Sequence, residues 1–419
     1  MFRVERSGHG LDTEDSKMKG MKKVMCVAML ALMVHATIAA AEEALVEAEP
    51  KAIEVAPIVK PDEPARTIDL AICLDTSGSM SGLINAARQK LWDIVSELSL
   101  AKPAPKLRVA LLTYGSPGYE APSFVRVQTE LIDDLDTVFE KLMALGTSGG
   151  QEYVGWVLND ALTELDWTDS KDALKIMFVA GNESADQAKE THDFRKVCAT
   201  AIAQDIIVNS IYCGNPADNI APGWREVAQL ADGSYAAIDQ DNGTVVIATP
   251  FDDKIAELGS KLNTTYVAYG AEGQAGMSNQ VKQDSNAASL NASNLAVRNI
   301  VKAQTQYFNG RWDLVDARTS KDFDLAKIEK KDLPEEMQKM SLEEQNVHLD
   351  KMEAERKDVQ KQINGLASQR RDFIQTERKK QIAEGDNSFD SAVLNAVRSQ
   401  AEKKNFTFRE NFTEGAENE

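Results

Sequence analysis

Residues 67–82 read TIDLAICLDTSGSMSG and decide the fold class of the chain. The apolar, β-branched first half predicts a buried strand that ends at Asp75. Ser77 and Ser79 follow that aspartate at steps of two, with glycines between and after them. The run over 83–98 then places its apolar residues on one helical face. The stretch therefore predicts a strand–loop–helix unit with polar side chains at the carboxyl end of the strand.

The same alternation continues to about residue 270 and predicts a sheet with helices on both faces. Further strand-like runs cover 107–115, 124–128, 174–181, 205–214 and 234–238. Helix-like runs cover 135–145, 153–165, 192–204, 224–233 and 250–264. Strands that alternate with helices at this spacing indicate an α/β fold with a mostly parallel sheet. The alternating run at 124–128 is typical of an exposed edge strand.

The polar loop offers oxygen ligands for a hard divalent cation. Residues at steps of two in an extended turn point the same way, so the side chains of Asp75, Ser77 and Ser79 converge. One carboxylate and two hydroxyls suit Mg²⁺ or Mn²⁺, with Ca²⁺ as a further candidate. Because only one ligand is charged, a bound cation keeps excess positive charge and an open position for an outside carboxylate. The alternative is structural: Ser79 or Ser81 caps the next helix and Asp75 braces the turn.

The segment from 67 to about 270 resembles a von Willebrand factor type A domain. The resemblance rests on Asp75-Thr76-Ser77-Gly78-Ser79-Met80, which is similar to the Asp-x-Ser-x-Ser motif of that family's metal-ion-dependent adhesion site. It covers roughly half the chain. It implies a Rossmann-like, doubly wound sheet and metal-assisted binding of a partner protein, usually through a Glu or Asp of the partner.

Other residues of the family's site match this chain less closely. The family takes a threonine from the loop before a central helix, and that loop here reads LGTSGGQE. Gln151 stands where the threonine is common, so the resemblance leaves Thr147 and the carboxylate of Glu152 as candidates. The family's fourth strand often ends in Asp-Gly, and here Asn182 and Glu183 are the candidate substitutes.

Composition and motifs argue against nucleic-acid and enzyme functions. Acidic residues outnumber basic ones 66 to 47, for a net charge of -19, whereas a nucleic-acid partner needs a positive surface. Of the 4 histidines, only His192 and His348 follow residue 41, so few histidines are available as a catalytic base. GTSGG at 146–150 matches the serine-hydrolase elbow, but a helix-like run precedes it instead of a strand. We therefore predict a non-enzymatic protein.

The N-terminal residues predict export. Residues 1–41 read as an N-terminal extension and signal peptide: the basic start MKK at 21–23 precedes an apolar run over 24–41 that ends in an Ala-x-Ala cleavage signal. Residues 42–66 are acidic and contain several prolines, which predicts an extended tether. We expect a periplasmic or secreted protein. If the apolar run is not cleaved, it anchors the chain in a membrane instead.

The part after residue 270 predicts a linker followed by charged helices. Residues 271–294 are rich in Gly, Ser, Asn, Gln and Ala, which is typical of a linker, and 295–404 predicts a helical, partly coiled-coil-like region. Heptad a positions are Leu349, Arg356, Ile363, Arg370 and Glu377, and d positions are Met352, Val359, Leu366, Phe373 and Lys380. Three arrangements stay open: a helix packed on this chain, a self-associating coiled coil, and a solvated charged helix. Residues 405–419 predict an acidic tail.

These patterns together predict an exported protein that binds a partner protein through a divalent cation at the Asp-x-Ser-x-Ser loop. The alternative is a scaffold or self-association protein that acts through its C-terminal helices and carries a metal-free type A module. Neither interpretation includes a nucleic-acid partner, and membrane contact is expected only if the signal segment is retained.

Overall fold

A six-stranded sheet organises the described part of the chain. The computed structural model describes residues 66–238, 247–383 and 389–408, so the predicted signal peptide and almost all of the tether lie outside it. The strands are β1 (Thr67–Asp75), β2 (Lys106–Tyr114), β3 (Val125–Ile132), β4 (Leu174–Gly181), β5 (Ile206–Tyr212) and β6 (Tyr235–Ala237). Their order across the sheet is β3-β2-β1-β4-β5-β6. β3 pairs antiparallel with β2, as expected for an edge strand, and the other pairs are parallel.

Helices cover both faces of the sheet, which confirms the doubly wound α/β fold. They are α1 (Ile84–Ser99), α2 (Leu135–Ala144), α3 (Val154–Glu164), α4 (Phe194–Ala203) and α5 (Ala221–Leu230). Along β1, Leu70 and Ile72 face a first core with α1 and α2, whereas Ala71 and Cys73 face a second core with α3, α4 and α5. This alternation follows from the two-residue period of a strand, and burial on both faces explains why β1 is apolar throughout.

The register of the sheet brings the carboxyl ends of three strands together. Asp75, the last residue of β1, lies opposite Tyr114 at the end of β2. On the other side, Leu74 lies opposite Ala180 near the end of β4. The loops that follow β1, β2 and β4 therefore meet at one edge of the sheet, which is where ligand sites of open α/β sheets are found.

The C-terminal helices pack on one another in two further hydrophobic clusters, and some of them also extend the first core. They are α6 (Asp252–Asn263), α7 (Gly273–Leu290), α8 (Ala292–Lys302), α9 (Leu314–Ala317), α10 (Leu342–Ala383) and α11 (Phe389–Glu402). Val301 of α8 and Val397 of α11 are buried in the first core. Arg298 of α8 is also buried, and its Nη1 lies 2.7 Å from Asp136 Oδ1 of α2.

The linker predicted over 271–294 is wrong, because α7 occupies most of it. Gln280 and Gln283 on this helix are fully buried, and the Gln280 amide donates to the Tyr307 hydroxyl at 3.1 Å. A Cβ added at Gly276 would lie 2.5 Å from the Trp312 ring. The small residues that suggested a flexible segment instead permit close helix packing.

The heptad seam of α10 packs on this chain, which is the first of the three arrangements considered. Leu349, Val359 and Ile363 are fully buried against neighbouring C-terminal elements. Arg356 and Arg370, which interrupt the apolar a positions, are also buried and form ion pairs with aspartates of this chain. The seam that would have formed a self-associating coiled coil is therefore occupied.

The last described residues are not part of an acidic tail. Phe406 is fully buried in the first core, and Lys102 and Thr407 form a β-bridge. The predicted tail over 405–419 is therefore wrong for residues 405–408, and residues 409–419 lie outside the described part. Within the described ranges, no helix is both long and apolar enough to span a membrane.

Candidate metal site

Asp75 presents a buried carboxylate oxygen that has no partner. The residue is fully buried, and its Oδ1 accepts a hydrogen bond from the backbone N–H of Ser77 at 2.7 Å. Its Oδ2 is also buried, and no described group donates a hydrogen bond to it. Burial raises the pKa of Asp75 to about 7, and the N–H groups of Ser77 and Asn182 offset only part of that rise. An unpartnered buried acceptor is costly, so this oxygen points to a missing ligand.

The two serines of the motif lie beside this carboxylate. The Ser77 and Ser79 hydroxyl oxygens are 2.8 Å apart, and the Ser79 hydroxyl donates to Asn182 Oδ1 at 2.9 Å. The alternative in which Ser79 or Ser81 caps the next helix is wrong, because neither the short 3₁₀ turn Gly78–Gly82 nor α1 has a side-chain cap. The other part of that alternative agrees with the structure, because the hydrogen bond from the Ser77 N–H to Asp75 Oδ1 braces the turn. The serine hydroxyls therefore face the space near Asp75 and are available as ligands.

Glu152 and Glu183 bring further negative charge to the same edge. Burial and the charge of Glu183 raise the pKa of Glu152, and the hydroxyl of Ser77 offsets part of the rise. Glu152 in turn contributes to the raised pKa of Asp75. The structure therefore places Glu152, Asn182 and Glu183 at the same edge of the sheet as the motif residues.

Thr147 is the candidate that the structure does not bring into this group. No described residue forms a hydrogen bond with its side chain, whereas the neighbouring Ser148 contacts both adjacent loops. The Ser148 N–H donates to the carbonyl of Thr76 at 3.0 Å, and its hydroxyl lies 2.9 Å from that of Ser116. Sequence reasoning missed Ser116 and Ser148, since their meeting depends on contacts between distant loops.

Gly115 is a second residue that the sequence did not single out. It follows β2 with a φ of 82°, which favours glycine. A Cβ at this position would lie 2.8 Å from Asp75 Oδ1 and 3.2 Å from Ser77 Cβ. Glycine directly after a strand adjacent to β1 is the signal that could have identified it. The absence of a side chain at Gly115 therefore leaves room for the side chains of Asp75 and Ser77.

Replacing Gly115 with alanine should disturb the site. We expect Gly115→Ala to lower the free energy of unfolding by about 1–3 kcal/mol, because the new Cβ meets the Asp75 carboxylate and φ is unfavourable. Urea denaturation measures this. Gly146→Ala is the matched control, since a Cβ there has nothing within 4 Å. Equal stability of the two variants would contradict the close packing described here.

The available ligands are hard oxygens: one carboxylate, two hydroxyls, and the neighbouring Glu152 and Asn182 oxygens. Among the described residues, no cluster of three or more His, Cys, Asp or Glu side chains forms a metal site. Mg²⁺, Mn²⁺ and Ca²⁺ prefer hard oxygen ligands of the kind that Asp75, Ser77 and Ser79 offer. The orphaned Asp75 Oδ2 and the adjacent hydroxyls fit a cation of this class.

Comparison with known proteins identifies the segment that carries this site. Residues 69–232 match the family model of the von Willebrand factor type A domain. The match runs from β1 to the end of α5 and confirms the resemblance for this type A segment. No curated protein sequence matches the chain.

Solved structures that are similar to this chain share little sequence identity with it. Proximal thread matrix protein 1 from the mussel byssus, with a zinc-occupied MIDAS motif, is 14% identical over 42% of this chain and 43% of that chain, with a TM-score of 0.34. The pilus adhesin SpaC from Lactobacillus rhamnosus GG is 15% identical over 43% of this chain and 29% of that chain, with a TM-score of 0.33. The chain thus spans less than half the length of either protein.

Proposed function

We propose that the protein binds a partner protein through a divalent cation, Mg²⁺, Mn²⁺ or Ca²⁺, held by Asp75, Ser77 and Ser79. The observation that best supports this is the buried Asp75 Oδ2, which lacks a partner and lies beside two hydroxyls. Such an oxygen is stabilised by a cation, and no side-chain cation of the described residues donates to it. The family match over residues 69–232 agrees with a protein-binding role.

Charge explains why the partner would offer a carboxylate. A dication coordinated directly by one aspartate and two neutral hydroxyls retains positive charge, of which Glu152 and Glu183 at the same edge offset a part. The three ligands do not fill its coordination shell. A Glu or Asp of the partner protein supplies both the missing charge and a hard oxygen. Glu152 and Asn182 lie close enough to Ser77 and Ser79 to orient the serine hydroxyls.

We infer binding instead of catalysis. Among the described residues, His192 packs on Trp156 with 3.7 Å between the centroids of the tilted rings, and His348 lies on α10, so neither is paired with the serines of the loop. We also infer export to the periplasm or outside the cell, from the signal-like segment at 1–41. The buried seam of α10 gives the scaffold alternative no support.

A carboxylate titration of the Mn²⁺-loaded protein tests the proposal. Mn²⁺ bound to the full-length chain should relax water protons faster than free Mn²⁺, because the incomplete ligand set leaves water on the slowly tumbling ion. Acetate, the simplest carboxylate, should then lower the relaxation rate by displacing that water. The variant Asp75→Asn should show no enhancement. If wild type and variant both behave like free Mn²⁺, the proposed cation site is wrong.

A further inference from the structure

A second candidate site lies between the type A segment and the C-terminal helices. A cavity of about 170 Å³ is lined by α1 on one side and by α8, α10 and α11 on the other. None of its lining residues belongs to the loops of the candidate metal site. Any ligand it takes would therefore bind independently of the cation.

The wall of this cavity combines more basic than acidic side chains. The basic ones are Lys90, Arg370, Arg371 and Arg398, and the acidic ones are Asp93 and Glu97. Two of the arginines are held in place by neighbours. Arg370 Nε lies 2.8 Å from Asp252 Oδ1, and Arg398 Nε lies 2.7 Å from Glu97 Oε1. Each guanidinium shares its charge with a paired carboxylate, and its remaining N–H groups can donate to an anion with little further loss of side-chain entropy.

The side-chain amide of Asn294, in the same wall, has N–H groups without a hydrogen-bond acceptor in the described part of the chain. The residue is 6% exposed, lines the cavity, and its Nδ2 is buried without a hydrogen-bond partner among the described residues. The Arg370 Nη2 group donates to the Ser293 hydroxyl at 2.6 Å, which places a guanidinium next to this part of α8. A buried amide without an acceptor is unfavourable, so an oxygen from a ligand would stabilise it.

Apart from Gln89, Ser96 and Ser293, the remaining wall is apolar and limits the size of the ligand. It consists of Leu100, Val297, Ile300, Ala367, Ile374 and Leu394, together with Ile247. For comparison, an apolar cavity of about 150 Å³ holds benzene. The space therefore fits a molecule of about six to ten non-hydrogen atoms with an apolar body.

We propose that this cavity binds a small organic carboxylate. The carboxylate lies at the Asn294 amide and the arginine side chains, and the aliphatic or aromatic body lies on the apolar residues of α8, α10 and α11. The ligand would contact the type A segment and the C-terminal helices at once, and so would stabilise their packing. A neutral ligand of the same shape lacks the charge-assisted hydrogen bonds that an anion forms here.

Hexanoate binding to the full-length chain tests this proposal. Saturation-transfer NMR is recorded in a chelator, so that no divalent cation takes up the carboxylate. We expect hexanoate to bind, hexanamide to bind at least about tenfold more weakly, and Asn294→Leu to weaken hexanoate by about tenfold. Ala367→Phe should abolish binding, because the ring fills the cavity from α10.

Matched variants separate loss of the cavity from loss of folding. Val297→Phe fills the cavity from α8 and should also abolish binding, whereas Ala354→Phe, at an exposed position of α10, should retain it. Circular dichroism of each variant establishes that it is folded. No binding to wild type, unchanged binding to both filled variants, or equal binding of hexanamide and hexanoate would each overturn the proposal.

Discussion

Replacing Arg356 with methionine is expected to lower the free energy of unfolding by about 3–5 kcal/mol. The residue is 4% exposed, and its Nη1 lies 2.7 Å from both Asp313 Oδ2 and Asp316 Oδ1. Its Nη2 also donates to the carbonyl of Thr265 at 2.7 Å. Methionine keeps much of the apolar stem but leaves the buried carboxylate of Asp313 and the partly buried carboxylate of Asp316 without their cation. Guanidinium denaturation of the full-length chain measures the change.

An exposed arginine–aspartate pair provides the control for Arg356. Arg311 Nη2 lies 2.9 Å from Asp134 Oδ2, and the Arg311 side chain is 67% exposed. Arg311→Met should change the free energy of unfolding by no more than about 1 kcal/mol, because solvent screens an exposed pair. Similar losses for both variants would show that Arg356 does not anchor α10 as described.

We expect Asp75→Asn to be more stable than wild type in chelator and to lose that advantage in Mn²⁺. In chelator, Asp75→Asn should be more stable than wild type by about 1–3 kcal/mol, since it removes a buried charge without an ion partner. In Mn²⁺ at a hundred times its dissociation constant, wild type should gain about 2.7 kcal/mol, and the variant should gain far less. Thermal unfolding in the two buffers measures both differences.

The variant Asp69→Asn is the control for Asp75→Asn, because it shows how much stability is lost when any buried aspartate is replaced. Asp69 lies on the same strand and is equally buried, but Arg108 binds both of its carboxylate oxygens at 2.7 and 2.8 Å. Asp69→Asn should therefore lose stability in both buffers and keep the response to Mn²⁺. If Asp75→Asn behaves like Asp69→Asn, the carboxylate of Asp75 is structural and the cation proposal fails.

The sheet and the centre of the candidate site could be predicted because they depend on local patterns. The apolar run of β1 and the helical periodicity of α1 are visible within 67–98. The steps of two between Asp75, Ser77 and Ser79 place three oxygens together without any knowledge of distant residues. This is why the fold class can be predicted from the sequence alone.

Features that depend on contacts between distant residues cannot be predicted from local sequence patterns. The composition of 271–294 is the same for a flexible linker and for a helix that packs closely on Trp312. Arg356 weakened the coiled-coil pattern, because nothing local shows that Asp313 and Asp316 face it. The role of Gly115 depends on the strand order, which places β2 beside β1.

Anomalous diffraction from crystals of the full-length protein grown in Mn²⁺ tests the central claim most directly. Data collected near the manganese absorption edge locate the ion without assumptions about its ligands. We predict a peak in contact with Asp75 Oδ2 and the Ser77 and Ser79 hydroxyls, and no such peak in Asp75→Asn crystals. A wild-type map with saturating Mn²⁺ and no peak among these three side chains would contradict the account.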